Sequence, residues 1–181
     1  MSQHAALAAV TLALRALLDG AFRTAASTDR ALADVILTTL PVDRARSVHH
    51  RTQVNLTMVT ALDHAGARNA PRLGLRGPEA SSEPAQQVSL LYMVTAYGPE
   101  EDDVMAQRAM GVAMHALHAN PVLDRIDLDV LFPHTGQTAP LEQVRVTQAS
   151  LTREQIVAWW LAFPTPYRLT SAYQVGPVPL G

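Results

Sequence analysis

Cysteine is absent from the 181 residues, and so is lysine. Without cysteine there is no disulfide, no thiolate zinc site and no cysteine nucleophile, so a folded state must rest on its apolar core. All 14 basic residues are arginine, spread along the chain rather than clustered, which reads as coding bias rather than an arginine-rich interface. No basic excess exists either: the formal net charge of -2 argues against a nucleic-acid binder. The apolar run over residues 5–14 is too short to span a bilayer, and Arg15 and Asp19 follow it closely. It lacks the positive start of a secretory signal, so the expected setting is the cytoplasm, with no membrane partner. No Gly-rich phosphate loop, no Gly-x-Ser-x-Gly elbow, no internal repeat and no low-complexity tract occurs. Charged residues are scarce, 17% against 48% hydrophobic, which leaves room for an assembly interface on a single domain spanning residues 1–181.

What is present alternates between helical and strand periodicity. Leu7, Val10, Leu14 and Leu17 step by three and four and predict an alanine-rich helix that Gly20 can end. Residues 34–40 are β-branched and apolar, close at Pro41 and predict a first strand. Val54, Leu56 and Met58 alternate with Asn55 and Thr57 and predict a second, half-buried one. Residues 63–87 are rich in Gly and Pro, without periodicity, and predict a long mobile or partner-ordered loop. Residues 88–97 predict the longest strand, paired antiparallel with the second across that loop.

Pro99 suits the first turn of a helix whose start Glu100, Glu101, Asp102 and Asp103 would stabilise against the dipole. Ala106, Met110, Ala113 and Leu117 form its apolar stripe, Ala109 and Gly111 are small enough for close approach to a sheet, and Asn120 and Pro121 end it. A turn is expected around Leu123, a loop over residues 132–140, and a short strand at Val144 and Val146. Thr152 and Gln155 then form a capping box, flanked by Leu151 and Ile156 as a staple, and Ile156, Trp159, Trp160 and Phe163 recur at helical spacing. Pro164 and Pro166 stop that helix, and a strand is expected from Tyr167, with Leu169, Tyr173 and Val175 on one side. The sum is an α+β domain, a mostly antiparallel sheet covered by about three helices.

Chemistry-bearing residues are few. His115 and His118, three apart on one helix, have a spacing that can bring two imidazoles to one metal, but no carboxylate or third histidine stands at a matching position. A helix edge near its C-terminus, where a partly charged histidine is favourable, is the reading preferred over a metal site. His49, His50 and Arg51 read as surface residues, and the acidic run at Glu100 as helix capping rather than a calcium loop. Neighbouring Trp159 and Trp160 point about 100° apart, so one serves the core and the other an interface. No catalytic, cofactor or metal residue is assigned.

Residues 152–175, with Gln53-Val54-Asn55-Leu56, Leu91-Tyr92-Met93-Val94-Thr95-Ala96-Tyr97-Gly98 and the run from Ala109 to Leu123, resemble in order the N-terminal domain of tail-cap, or tail-terminator, proteins of extracellular contractile injection systems of the antifeeding-prophage type. The resemblance spans nearly the whole chain. It implies a phage tail-terminator-like fold and a non-enzymatic structural role. In that role a homo-oligomeric, hexameric ring at the baseplate-distal end stops inner-tube and sheath polymerisation and anchors the sheath. Partners would be the inner-tube and sheath proteins, within a phage-tail-like particle, and strand addition to a neighbour is expected. Trp159, Trp160, Tyr167, Arg168 and Tyr173, dense in the matched segment, are the expected interface residues.

The sequence departs from the family in its last strand, where Gly176-Pro177-Val178-Pro179-Leu180 replaces aliphatic residues and two prolines remove donors from one edge. A tryptophan expected after the second strand is replaced by Leu62-Asp63-His64. Some members also carry a C-terminal extension, whose function is not carried over. The alternatives are a neck or adaptor protein of a tailed phage, which would need a capsid portal, and a small metal-binding enzyme using His115 and His118.

Overall fold

The computed structural model describes residues 5–48, 50–64, 86–132 and 140–180. His49, most of the predicted 63–87 loop and most of the predicted 132–140 loop lie outside them.

A six-stranded sheet in the order β1-β2-β3-β6-β5-β4 organises the molecule. Its strands are β1 (Ile36–Thr38), β2 (Gln53–Asp63), β3 (Gln86–Tyr97), β4 (Val122–Ile126), β5 (Leu141–Gln148) and β6 (Thr170–Leu180). Every pairing is antiparallel except β1 with β2. The expected β2–β3 pairing is present, from Gln53 opposite Tyr97 to Asp63 opposite Val88. Helices α1 (Ala6–Thr28) and α3 (Asp103–Ala119) cover one face; α2 (Val42–Val48) and α5 (Arg153–Ala162) cover part of the other. Strand alternation fixes this division: Tyr92 and Val94 point into the larger core with α1 and α3, while Met93 between them packs with Val42 and Trp160. A single turn, α4 (Leu128–Leu131), follows β4.

Helix α1 does not stop at Gly20. Its buried line is Ala6, Val10, Leu14, Leu18 and Phe22, so the helix face that reaches the core continues past the glycine. Burial of Phe22 offsets the roughly 1 kcal/mol that a mid-helix glycine costs. Leu7 and Leu17 flank this line, half-buried.

Helix α3 begins later than Pro99. Residues Pro99–Glu101 form a separate 3₁₀ turn with Glu100 at φ 49°, and Asp102 is the cap, accepting from Val104 N (2.9 Å) and Met105 N (3.3 Å). The stripe Ala106, Met110, Ala113 and Leu117 is buried as expected, together with Ala109. Gly111 is not: it lies on the outer face, with nothing within 4 Å of where a Cβ would stand.

The chain around Leu123 is a strand rather than a turn, because β4 pairs with β5 from Val122 opposite Arg145 to Ile126 opposite Leu141. Strand β5 covers Val144 and Val146 as expected. Strand β2 is more buried than its alternation suggests: Gln53 and Asn55 are fully buried, as Val54 is on the opposite face. Asn55 satisfies its amide by donating to Leu40 O (2.9 Å) and Thr57 Oγ1 (2.8 Å) and accepting from Leu40 N (2.9 Å) and Thr38 Oγ1 (2.7 Å). It therefore pins the segment after β1 against β2.

Candidate assembly surface

The capping box at the start of α5 is formed in full: Thr152 N donates to Gln155 Oε1 (2.9 Å), and Gln155 N donates to Thr152 Oγ1 (3.3 Å). Next to it the Glu154 carboxyl is held below its ordinary value by a backbone hydrogen bond and the Thr152 hydroxyl. From this fixed start the helix turns Trp160 inward, 6% exposed, where its Nε1 donates to Thr170 Oγ1 (3.1 Å) and its ring lies 5.4 Å from that of Tyr167. Ile156, Trp159 and Phe163 pack against the same small cluster, half-buried.

Of the five expected interface residues, then, the structure places two in the interior. Trp160 anchors α5, and Tyr173, 4% exposed, belongs to the core under α3. Burial raises the Tyr173 hydroxyl above its ordinary pKa. Trp159 is half-buried, Tyr167 is 57% exposed, and Arg168 is half-buried in a cleft with Arg46, Tyr97 and Gly98. Arg46 donates to Gly98 O there and lies 5.8 Å from the Tyr97 ring centre. The Tyr97 hydroxyl is raised by burial, against the lowering influence of the Thr95 hydroxyl, Arg168 and Arg46. Strand β6 starts at Thr170 rather than Tyr167, although Ala96 N already donates to Leu169 O (3.1 Å).

The two sides of the sheet end very differently. Strand β1 pairs with β2 only from Gln53 to Asn55, so from Leu56 to Asp63 β2 has β3 on one side and no strand among the described residues on the other. Beside this edge runs an apolar groove of about 600 Å³. Ala8, Thr11 and Leu12 of α1 line it from one face, Val42 and Phe163 from the other, and Met58 and Val59 from β2 itself. Thr39, Leu40 and Pro41 close its Leu56–Thr57 end, where Thr57 Oγ1 donates to Leu40 O (2.9 Å); beyond it the edge of β2 has no strand partner among the described residues, a form that can receive an extended strand.

The far half of β6 is the reverse case. Its pairing with β5 ends at Arg145 opposite Gly176. Ala149 N donates to Ala172 O, so even-numbered residues up to Gly176 face β5; the register shift between Val88 and Leu90 then reverses the parity. Val178 and Leu180 consequently face Val88 and Gln86 of β3, and Pro177 and Pro179, with no N–H to offer, face the side on which no strand among the described residues pairs. A glycine is required at 176: at φ 154° a Cβ would stand 2.9 Å from Val88 O.

His115 and His118 both lie exposed on α3, above Val146 and Gln148. Among the described residues no group of three or more His, Asp or Glu side chains could hold a metal ion. No helix among them is long and apolar enough to cross a membrane. At the replaced family tryptophan, His64 Nδ1 pairs with Ser89 Oγ (2.7 Å) and Gln86 Nε2 donates to Asp63 Oδ1 (2.8 Å), so polar contacts tie β2 to β3 there.

A mostly antiparallel six-stranded sheet with helices on both faces is an α+β fold shared with a tail terminator. A solved extracellular contractile injection system, its PVC sheath/tube terminator in the extended state, superposes with a TM-score of 0.58 over 94% of this chain at 17% identity. The chain spans about half of that protein, 54% of its length. Residues 9–181 match the Pvc16 N-terminal domain family, and the chain belongs to it. No curated protein matches the sequence.

Proposed function

We propose that this chain caps the end of a contractile injection particle: copies close into a ring, hexameric as the family resemblance implies, at the end distal to the baseplate. The ring halts growth of the inner tube and sheath and holds the sheath during contraction. Its work is structural, without catalysis, cofactor or metal, and it is carried out in the cytoplasm as the particle assembles. The observation that carries this reading is that family membership over residues 9–181 coincides with a terminator fold over 94% of the chain.

Physical logic supports it. Tube and sheath subunits repeat a head-to-tail contact, so a filament ends only when a subunit offers the contact on one side and withholds it on the other. The chain carries both kinds of edge, the open β2 slot and the strand end whose donors Pro177 and Pro179 remove. In this reading the slot takes a strand from the layer below, and Trp159, Tyr167 and Arg168 contact neighbouring subunits while the buried Trp160 anchors α5 and the turn to Tyr167.

Addition of the purified protein to polymerising tube and sheath subunits tests the proposal. Mean filament length is expected to fall as the molar ratio of cap to subunit rises, with the protein found only at filament ends. Unchanged lengths, or protein decorating filament sides, would contradict it.

A further inference from the structure

The segment made of β1, the residues after it and α2 is attached to the sheet by different forces from α1 and α3. Beneath α1 and α3 the sheet is apolar, with Val54, Leu56, Leu90, Tyr92 and Val94 in the core. On the other face, beside residues 38–46, it is polar: Gln53, Asn55 and Thr95 are fully buried there. Gln53 Nε2 donates to Thr38 Oγ1 (2.7 Å) and Ala45 O (3.0 Å), Thr57 Oγ1 donates to Leu40 O (2.9 Å), and the Asn55 amide holds Leu40 N and O. At the far end of α2, Arg46 donates to Arg51 O (2.8 Å) and to Gly98 O. Among the described side chains of the segment only Leu37, Val42 and Ala45 are buried apolar groups. Strand β1 adds three residues of parallel pairing, the weaker kind per residue. The base of the segment stays closed, because Arg51 pairs with Asp34 at 2.8 Å.

A segment held mainly by hydrogen bonds opens more readily than one held by apolar burial, since water takes over each bond at a small net cost. We infer that residues 36–46 form a flap that opens as one unit while the rest of the sheet stays folded. Ile36 N donates to Thr52 O (2.9 Å), so at the start of β2 the even-numbered residues turn their backbone groups toward β1 and the odd-numbered ones toward β3. Opening therefore frees the backbone of Val54 and Leu56 and lifts Thr39, Leu40 and Pro41 off the end of the slot. The edge without a strand partner among the described residues then runs along all 11 residues of β2 instead of starting at Leu56. In this way the flap sets how much of the edge an incoming strand can use. That use rests on the capping reading above, whereas the opening is a property of the single chain.

Native-state amide exchange of the isolated chain, resolved by residue with NMR over a series of low urea concentrations, tests the flap. The Leu40, Val54 and Leu56 amides are expected to exchange about a hundredfold faster than those of Asn55 and Thr57, and to share one shallow dependence on urea. Asn55 and Thr57, bonded to β3, are expected to exchange only through global unfolding, with its steep dependence. Protection would thus alternate along the start of β2. Arg46→Gln unlatches the far end of α2 and is expected to speed the Leu40, Val54 and Leu56 amides together by about tenfold. Val54 and Leu56 amides as slow as Asn55 and Thr57 with the same urea dependence, or an Arg46→Gln variant that speeds only amides beside residue 46, would overturn the flap. Because the free chain is measured, that result would leave the capping reading standing. Filaments that grow to unchanged length beside a chain whose flap does open would overturn capping alone.

Discussion

Asn55 shows at the scale of one residue what periodicity leaves out. Its position in an alternating run reads as an outward polar residue, yet its amide is fully buried and makes four hydrogen bonds to residues 38–57. The partner is the backbone of Leu40, fifteen residues earlier, and no spacing rule links the two. Asn55→Ala leaves Leu40 N without its acceptor while Leu40 O keeps the Thr57 hydroxyl (2.9 Å), and a loss of about 1–2 kcal/mol is expected in denaturant unfolding. Trp159 and Trp160 were divisible by angle alone, but which of them faces the core depends on Thr170 and Tyr167, beyond a proline turn. Tyr92, whose hydroxyl pairs with that of Thr11 at 2.7 Å, is pushed up to about 12 by burial. Its folded pKa lies above the unfolded value of about 10, so its contribution is complete below pH 10 and is lost as the pH rises toward 12. The loss amounts to about 2–3 kcal/mol. Tyr97 and Tyr173 are raised in the same direction. Tyr92→Phe is expected to flatten part of the alkaline fall in stability measured between pH 9 and 12; an unchanged slope would assign the fall to other groups.

At the scale of elements, local chemistry was readable wherever it is self-contained. The capping box at Thr152, the stripe from Ala106 to Leu117 and the β2–β3 pairing all appear where the residues put them. Expectations failed where a neighbouring element overrides a local signal. Gly20 ends nothing because Phe22 carries α1's buried face onward, and β4 lacks alternation, with Val122 half-buried, Leu123 buried, Asp124 and Arg125 exposed and Ile126 buried. Acidic residues at 100–103 blurred the start of α3, since any of them can cap, and Asp102 is the one whose side chain accepts from Val104 N and Met105 N. Two predictions belong here. Thr152→Ala removes one half of the capping box and is expected to cost about 1 kcal/mol, seen as faster amide exchange in the first turn of α5. Gly176→Ala places a Cβ against Val88 O at a positive φ, and a loss of about 2 kcal/mol with weakened protection along the β3–β6 pairing is expected.

At the scale of the molecule, the fold class was legible and the strand order was not. Insertion of β6 between β3 and β5 joins segments about eighty residues apart, which periodicity cannot rank against simpler meanders. The ordered set of segments shared with a family implied the fold class, and comparison with it set the prolines of β6 apart as a departure, but it did not supply the strand order. The surfaces that matter to an assembly were the least visible: the β2 slot is made by α1, the segment from Thr39 to Val42, Phe132 and Phe163 just past α5, arriving from separate parts of the sequence. The central claim is that this molecule ends a filament. Particles produced by cells lacking the gene, measured by electron microscopy, test it most directly. The account predicts tails of widely scattered length with bare distal ends, restored to uniform capped tails by the complementing gene. Tails of normal, uniform length ending in an intact cap would contradict it.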